Sequence, residues 1–256
     1  MSAVERSLSW RARAALEATR EAVQASGPAR TVTAARAGGR RRHTSEAPSA
    51  ELLDSLRHHL LAGETHYPDR PGMVELRRLV GAALPGIGYP RRDPDGVLIT
   101  MSEGESLFVT LLGLGAEKGT RFTGSAPGRH QALFDWMGLG RAESDAAASL
   151  HYRDTTNSRE AGPQADSRFD RSVPCVHTVG GSLFASGGWA FRGDVPASLI
   201  VVGSLDGLDG MHPFRLGFVA AEPEILAGIT RWKQASSICS PAPSQRAALW
   251  ALGVRP

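Results

Sequence analysis

The chain has 256 residues, a formal net charge of +3 and 41% hydrophobic residues, which is typical of a globular protein with one large α/β domain or two small ones. Its two cysteines, Cys175 and Cys239, lack metal-ligand spacing and exclude a disulfide framework of the secreted type. The weak net charge argues against nucleic acid as a partner. No apolar run reaches the roughly 18 residues that a membrane helix needs.

The first 48 residues form two segments of different composition. Residues 1–26 place apolar residues such as Leu8 and Trp10 among charges, which predicts an exposed amphipathic helix. Residues 27–48 lack periodicity and predict a linker or arm. The basic run 40–42 in this arm fits a solvated linker better than a phosphate contact, because no nucleic-acid-binding motif accompanies it. The N-terminus has no apolar signal-peptide core, so we expect a cytoplasmic protein.

Residues 49–256 alternate between helical and strand patterns. The first part predicts helices over 51–61, 72–83, 104–116 and 130–137, with strands over 97–100 and 120–123. Residues 141–172 show little periodicity, and we expect them to be partly irregular. The last part predicts strands over 173–177, 199–203 and 215–221, with helices over 222–235 and 243–252. This alternation predicts a mostly parallel sheet with helices on both faces.

Four motifs occur in the order found in the fold type I aminotransferases (class I/II), which use pyridoxal phosphate (PLP). His66 to Arg77 resembles the family's Y-x-x-x-x-G-x-x-x-L-R segment, and Thr100 to Phe108 resembles its T-x-G-x-x-E-A-φ turn, where φ is apolar. Gly203 to Phe218 resembles the lysine segment, and Ser244 to Leu249 resembles the S-x-x-[SP]-x-x-Q-x-A-φ helix. The resemblance implies the large domain of that fold. It also implies that the small C-terminal domain is mostly absent, because the chain ends soon after Arg215.

Gly207 stands at the position of the family's Schiff-base lysine. The family's pattern is G-S-φ-S-K followed by R-φ-G-[YF], and here Ser204, Arg215 and Gly217 keep its spacing. The chain contains two lysines, Lys118 and Lys233, and neither lies in this segment. A PLP enzyme without that amine cannot form its internal aldimine. The resemblance therefore implies a degenerate member that has lost ordinary transamination.

The phosphate ligands of the family have counterparts in this chain. The resemblance assigns six positions to cofactor binding: Tyr67, Glu103, Gly104, Glu105, Ser204 and Arg215. The three residues 103–105 would supply amides at a helix N-terminus, Arg215 a guanidinium, and Tyr67 a hydroxyl from the partner subunit of a homodimer. Such a set binds anions, so a phosphorylated small molecule is an expected ligand. Ser204, Arg215 and Tyr67 also fit purely structural roles.

The residues that hold the pyridine ring in the family are replaced. Thr178 stands at the position of the aspartate that pairs with the ring nitrogen, and Gly181 at that of a neighbouring aromatic residue. Ala126 stands at the position of the ring-stacking aromatic and is too small to stack. Together with Gly207, these replacements predict that no cofactor is bound, or that PLP or pyridoxamine phosphate is held without a covalent bond.

Asp206, Asp209 and His212 lie where the resemblance places the reactive face of the cofactor. Two carboxylates and an imidazole suit acid–base chemistry, and the same residues also fit a polar turn that replaced the site. Three functions stay open. The first is a pseudoenzyme that acts as a partner or anion-binding protein, in a biosynthetic pathway. The second is an enzyme that works without an aldimine. The third is ordinary transamination, with the amine supplied by a misaligned motif or by Lys233, at a position where the family often has a surface lysine.

Overall fold

The computed structural model describes residues 48–155, 173–184, 196 and 198–254. The predicted helix over 1–26 and all but the last residue of the predicted linker lie outside this part of the chain. The helices are α1 (Ala50–Leu61), α2 (Val74–Ala83), α3 (Glu103–Gly113), α4 (Gln131–Met137), α5 (Pro223–Ser237) and α6 (Ala242–Ala251). The strands are β1 (Val97–Thr100), β2 (Arg121–Gly124), β3 (Gly140–Arg141), β4 (Leu150–Asp154), β5 (Cys175–Thr178), β6 (Leu199–Ser204) and β7 (Gly217–Ala220). None of these helices is long and apolar enough to cross a bilayer.

The seven strands form one sheet in the order β1-β7-β6-β5-β4-β2-β3. Strands β2 to β6 pair in parallel, whereas β7 runs antiparallel to both β6 and β1. The predicted mostly parallel sheet is therefore confirmed, with β7 as its one reversed strand among those described. As a result, the C-terminal ends of β1, β2, β4, β5 and β6 lie at the same edge as the start of β7. We call this edge the carboxyl edge.

Helices cover both faces of the sheet, as the sequence predicts. Successive strand residues point to opposite faces, so Ile99 joins one apolar cluster while its neighbour Leu98 joins the other. Helices α1, α2 and α6 contribute to the first cluster, and α3, α4 and α5 contribute to the second. Strands β1, β5 and β6 are wholly buried, which is typical of parallel sheets.

Strand β4 lies in the segment that we expected to be partly irregular, and sequence patterns did not predict it. The strand has the sequence Leu-His-Tyr-Arg-Asp, and four of its five residues are buried. Its apolar residues Leu150 and Tyr152 belong to the second apolar cluster, whereas its other three residues are polar. The buried His151 and Asp154 further obscure the pattern.

Two of the resemblance motifs meet through Gln245. This fully buried side chain accepts a hydrogen bond from the backbone N–H of Met73 at 2.7 Å and donates one to the carbonyl of Ser240 at 2.8 Å. Arg77 is also buried, and its Nε donates to the carbonyl of Gly72 at 3.0 Å. The motif residues thus join the loop before α2 to helix α6. This role is structural and requires no ligand.

Candidate functional site

The carboxyl edge of the sheet collects most of the residues that the sequence predicts as a site. Helix α3 begins just after β1, and its first residues are Glu103, Gly104 and Glu105. Ser204 is the last residue of β6, and Arg215 precedes β7. Ligands of parallel α/β sheets bind at this edge, where loops after the strands converge. The fold therefore brings the predicted residues to one end of the molecule.

The N-terminus of α3 is closed by its own side chains. Ser102 is the N-cap, and its hydroxyl accepts a hydrogen bond from the backbone N–H of Glu105 at 3.1 Å. The Glu105 carboxylate in turn accepts from the backbone N–H of Met101 at 2.5 Å and from the Ser237 hydroxyl at 2.5 Å. This reciprocal arrangement resembles a capping box. It directs Glu105 toward α5, so its carboxylate points away from the loop that follows β5.

Glu103 points the other way, toward the loop after β5. Its Oε1 accepts a hydrogen bond from Arg129 Nη2 at 2.5 Å and from the Gly180 backbone N–H at 3.2 Å. His130 Nε2 lies 3.7 Å from the same oxygen, and the Glu103 side chain is only 12% exposed. We call the group Glu103, Arg129 and Gly180 the Glu103 clasp. Sequence patterns did not predict Arg129 or His130, because a single arginine in a loop does not indicate which distant acid it contacts.

Close packing explains why the lysine-segment motif has glycine at residue 217. A Cβ atom at this position would lie 2.4 Å from the carbonyl carbon of Ser102 and 2.5 Å from its oxygen. At Gly203, a Cβ would lie 2.6 Å from the ring of Phe218. Strand β7 therefore starts in direct contact with the turn before α3. These glycines of the motif serve the close approach of backbone segments.

Ser204 and Arg215 differ in their exposure. Ser204 is 5% exposed, and its backbone N–H donates to the Gly180 carbonyl at 2.8 Å. Arg215 is exposed and has a φ of 44°, a left-handed conformation that is uncommon outside glycine. Within the described part of the chain, its guanidinium makes no hydrogen bond or ion pair. The alternative that Arg215 pairs with a nearby acid thus has no support among these residues.

The residues Asp206, Asp209 and His212 lie in the segment between β6 and β7. Their predicted acid–base role stays a prediction. Tyr67 is 71% exposed, and its ring contacts the neighbouring ring of His66 edge to face at 5.7 Å. The described residues also contain no group of three or more acids, histidines and cysteines that could hold a metal.

A cysteine and a histidine lie within reach of each other in β5. Cys175 Sγ is 3.2 Å from His177 Nε2, and the Tyr89 hydroxyl is 3.0 Å from His177 Nδ1. Burial, with a smaller effect from the Arg153 charge, lowers the pKa of His177 to about 3. Burial raises the pKa of the Cys175 thiol to about 12. Both groups are therefore neutral near physiological pH, which excludes a reactive thiolate–imidazolium pair.

Comparison with known proteins finds matches among solved structures, whereas no family model and no curated protein matches the chain. The fold superposes on N-succinyldiaminopimelate aminotransferase from Mycobacterium tuberculosis with a TM-score of 0.66 and 19% identity. An aromatic aminotransferase from Pyrococcus horikoshii gives a TM-score of 0.65 at 15% identity. A tetra mutant of the aspartate aminotransferase from Thermus thermophilus gives 0.67 at 14% identity. The chain has the aminotransferase fold.

The matches cover different shares of the two chains. For the mycobacterial and Pyrococcus enzymes, 82% of this chain aligns with 63% and 65% of theirs. For the Thermus enzyme, 98% of this chain aligns with 72% of the other. The chain thus spans less than two thirds of the length of the first two aminotransferases. At such identities the likeness shows the fold, and the site must be judged on its own residues.

The residues that the resemblance assigns to the ring-binding positions lack the side chains that would hold the PLP ring. Thr178 offers a hydroxyl in place of a carboxylate, and that hydroxyl lies 3.2 Å from the hydroxyl of Tyr152. Gly181 has no ring, and a Cβ there would lie 2.9 Å from the backbone nitrogen of Gly207. The loops that follow β5 and β6 are therefore in contact. Gly207 supplies no amine for an aldimine.

Neither of the two lysines lies in the loop that contains Gly207. Lys118 is exposed and precedes the N-terminal end of β2, opposite the carboxyl edge. Lys233 is fully buried in α5, and its Nζ has no hydrogen-bond partner among the described residues. The surface position that the resemblance implied for Lys233 is therefore wrong. Burial lowers the pKa of Lys233, and the nearby Glu105 and Cys239 oppose this effect.

Proposed function

We propose that this chain is an aminotransferase-fold protein without Schiff-base catalysis, which acts as a partner or anion-binding protein in a biosynthetic pathway. The contact between Gly181 and Gly207 carries the proposal. In the resembled enzymes these positions hold an aromatic ring and the catalytic lysine. Here both side chains are missing, and the two backbones approach until a Cβ on Gly181 would lie 2.9 Å from the Gly207 nitrogen. An aromatic side chain at residue 181 has no room unless one loop moves.

The replacements act on different parts of PLP chemistry, which supports the proposal further. Loss of the lysine removes the covalent attachment, and loss of a carboxylate at Thr178 removes the partner of the ring nitrogen. Loss of the aromatic side chains at Ala126 and Gly181 removes the stacking that orients the ring. A single replacement would permit a variant mechanism, whereas these four remove attachment, electronic control and orientation together.

The proposed partner is a second copy of this chain or an active enzyme of the same fold. Large apolar side chains are exposed on α1 and in the loop that follows it, notably Leu61 at 76% and Tyr67 at 71%. Large exposed apolar side chains favour protein contacts. Sedimentation equilibrium of the purified chain tests the homodimer. A monomer at micromolar concentration leaves a different protein as the partner.

Absorbance spectroscopy tests the loss of catalysis. The purified protein is incubated with excess PLP, desalted and scanned for the visible band of an internal aldimine. We expect no such band and no spectral change with borohydride, because Gly207 offers no amine. A band that persists after desalting and disappears on reduction contradicts the proposal.

A second candidate function is chemistry on a phosphorylated ligand that needs no lysine. The exposed Arg215 without an ion pair among the described residues, beside Ser204 at the carboxyl edge, favours it. Calorimetric titration with PLP, pyridoxamine phosphate and inorganic phosphate, with Arg215→Ala as the comparison, distinguishes it from the partner function. Binding that the Arg215→Ala variant loses supports this candidate. Absence of binding leaves the partner function.

A further inference from the structure

Two separate loops converge on one carboxylate oxygen of helix α3 at the carboxyl edge. Glu103 begins α3, Arg129 lies in the turn before α4, and Gly180 follows β5. The contacts of Glu103 Oε1 join residues that are 26 and 77 positions apart in the chain. Such contacts depend on the tertiary fold rather than on local sequence. Arg129 and the Gly180 N–H thus present two donors from distant parts of the chain to one carboxylate oxygen.

His130 positions the arginine of the clasp. Arg129 Nε donates a hydrogen bond to His130 Nε2 at 3.2 Å, and the histidine is 8% exposed. This contact holds the guanidinium beside the imidazole and fixes its direction. Arg129 supplies the positive charge of the Glu103 clasp. Its Nη2 is left pointing at Glu103, 2.5 Å from the carboxylate oxygen.

The charge of Arg129 is already balanced by the chain itself. The Glu103 carboxylate is largely buried and bonded to a guanidinium, and it lies in the first turn of α3, where the helix dipole favours a negative group. A phosphate that approached Arg129 would meet the negative charge of Glu103 at close range. Binding of an external oxyanion therefore requires displacement of this carboxylate.

We propose that Glu103 is an internal ligand, whose carboxylate occupies the oxyanion receptor formed by Arg129 and the Gly180 N–H and excludes inorganic phosphate and phosphate monoesters from it. The receptor uses other residues than the Ser204 and Arg215 set that the resemblance assigns. The inference rests on the proposed loss of PLP catalysis. In a protein without the cofactor, the Glu103 carboxylate takes the place of an external anion at this edge.

The variant Glu103→Gln tests the proposal because it removes the negative charge and keeps the side-chain size. Inorganic phosphate is titrated calorimetrically into the wild type and the variant at low ionic strength. We expect phosphate to bind the variant at least about tenfold more tightly than the wild type. Glu75→Gln is the matched control, because Glu75 also lies in the first turn of a helix and pairs with an arginine, Arg78, at 2.6 Å. We expect it to bind phosphate as the wild type does.

The double variant Glu103→Gln/Arg129→Gln identifies the receptor, because it is expected to lose the gained affinity. A folded Glu103→Gln protein without any gain overturns the proposal, as does a wild type that binds phosphate equally tightly. If circular dichroism shows that the variant is unfolded, Glu103→Ala replaces it. If neither folds, the wild type and Arg215→Ala decide: a Kd below about 1 mM that Arg215→Ala retains overturns the proposal, and weaker binding to Arg215→Ala supports it.

The outcome for the clasp is distinguishable from that for the proposed function. A wild type that forms a reducible aldimine with PLP overturns the proposed loss of catalysis, whatever phosphate does in the variants. A wild type that forms no aldimine, together with a folded Glu103→Gln protein that gains no affinity, overturns the internal-ligand inference alone.

Discussion

Replacement of Lys233 by methionine is expected to stabilise the protein. The lysine side chain is fully buried in α5, and its Nζ has no hydrogen-bond partner among the described residues. Methionine keeps a flexible apolar side chain of similar length and removes the amine. The neighbouring Glu105 retains its hydrogen bonds to the Met101 N–H and the Ser237 hydroxyl. The substitution therefore removes an unsatisfied polar group and leaves the polar contacts around it.

The expected gain follows from the cost of leaving a buried polar group unpaired, which is about 1–3 kcal/mol. Its pH dependence follows from the pKa of Lys233, which burial lowers. Between this lowered pKa and the ordinary value near 10.4, the unfolded chain binds a proton that the folded chain does not, so stability rises with pH. Below that window the amine is charged in both states, and the penalty is at its full size. The gain is therefore largest below the lowered pKa, and it falls as pH rises toward about 10.4 to the part that comes from the unpaired neutral amine.

Urea unfolding of the wild type and Lys233→Met, measured at several pH values, checks this prediction. Lys118→Met is the matched control, because it removes the chain's other lysine from an exposed site and is expected to change stability by less than about 0.5 kcal/mol. The difference between wild type and variant cancels the titration of other buried groups. A variant that is less stable than the wild type at neutral pH refutes the reasoning, since it means that Lys233 stabilises the fold through a favourable charge interaction.

One substitution and one chemical-labelling experiment test the packing of the sheet. Gly217→Ala is expected to lower the free energy of unfolding by about 3 kcal/mol, because its Cβ would lie 2.4 Å from the Ser102 backbone. Gly86→Ala is the control, and we expect little change because Gly86 has open space around it. Equal effects of the two substitutions in urea unfolding would contradict this prediction. Cys175 is expected to resist thiol reagents in the native state, because burial raises its pKa to about 12. Mass-resolved labelling that is as fast in native as in unfolded protein would show that the thiol is accessible.

The fold can be predicted from the sequence where continuous apolar runs mark the strands and glycines mark close contacts. The strand predicted over 199–203 is β6, and the one predicted over 97–100 is β1, since both are continuous apolar runs in a buried parallel sheet. Gly203 and Gly217 of the lysine segment are explained by close packing. Strand β4 was not predicted, because its buried polar residues remove the apolar signal on which the prediction depends.

The contacts of the candidate site could be predicted only in part. The sequence indicates which residues stand at the carboxyl edge, because each follows or precedes a recognisable strand. It does not indicate that Glu103 turns toward Gly180 while Glu105 turns toward Ser237. Both residues are glutamates in the first turn of the same helix, so the local sequence does not distinguish them. The partnership with Arg129 is likewise a product of tertiary structure. The predicted roles of Ser204, Arg215 and Tyr67 stay predictions.

Borohydride trapping with peptide mapping tests the loss of Schiff-base chemistry most directly. The protein is incubated with a slight excess of PLP, reduced, digested and searched by mass spectrometry for phosphopyridoxyl-lysine. We predict no labelling of the buried Lys233, and labelling of the exposed Lys118 only at the level of an unrelated surface lysine. Stoichiometric labelling of Lys233 would contradict the account, because it would show that this aminotransferase fold retains a catalytic amine.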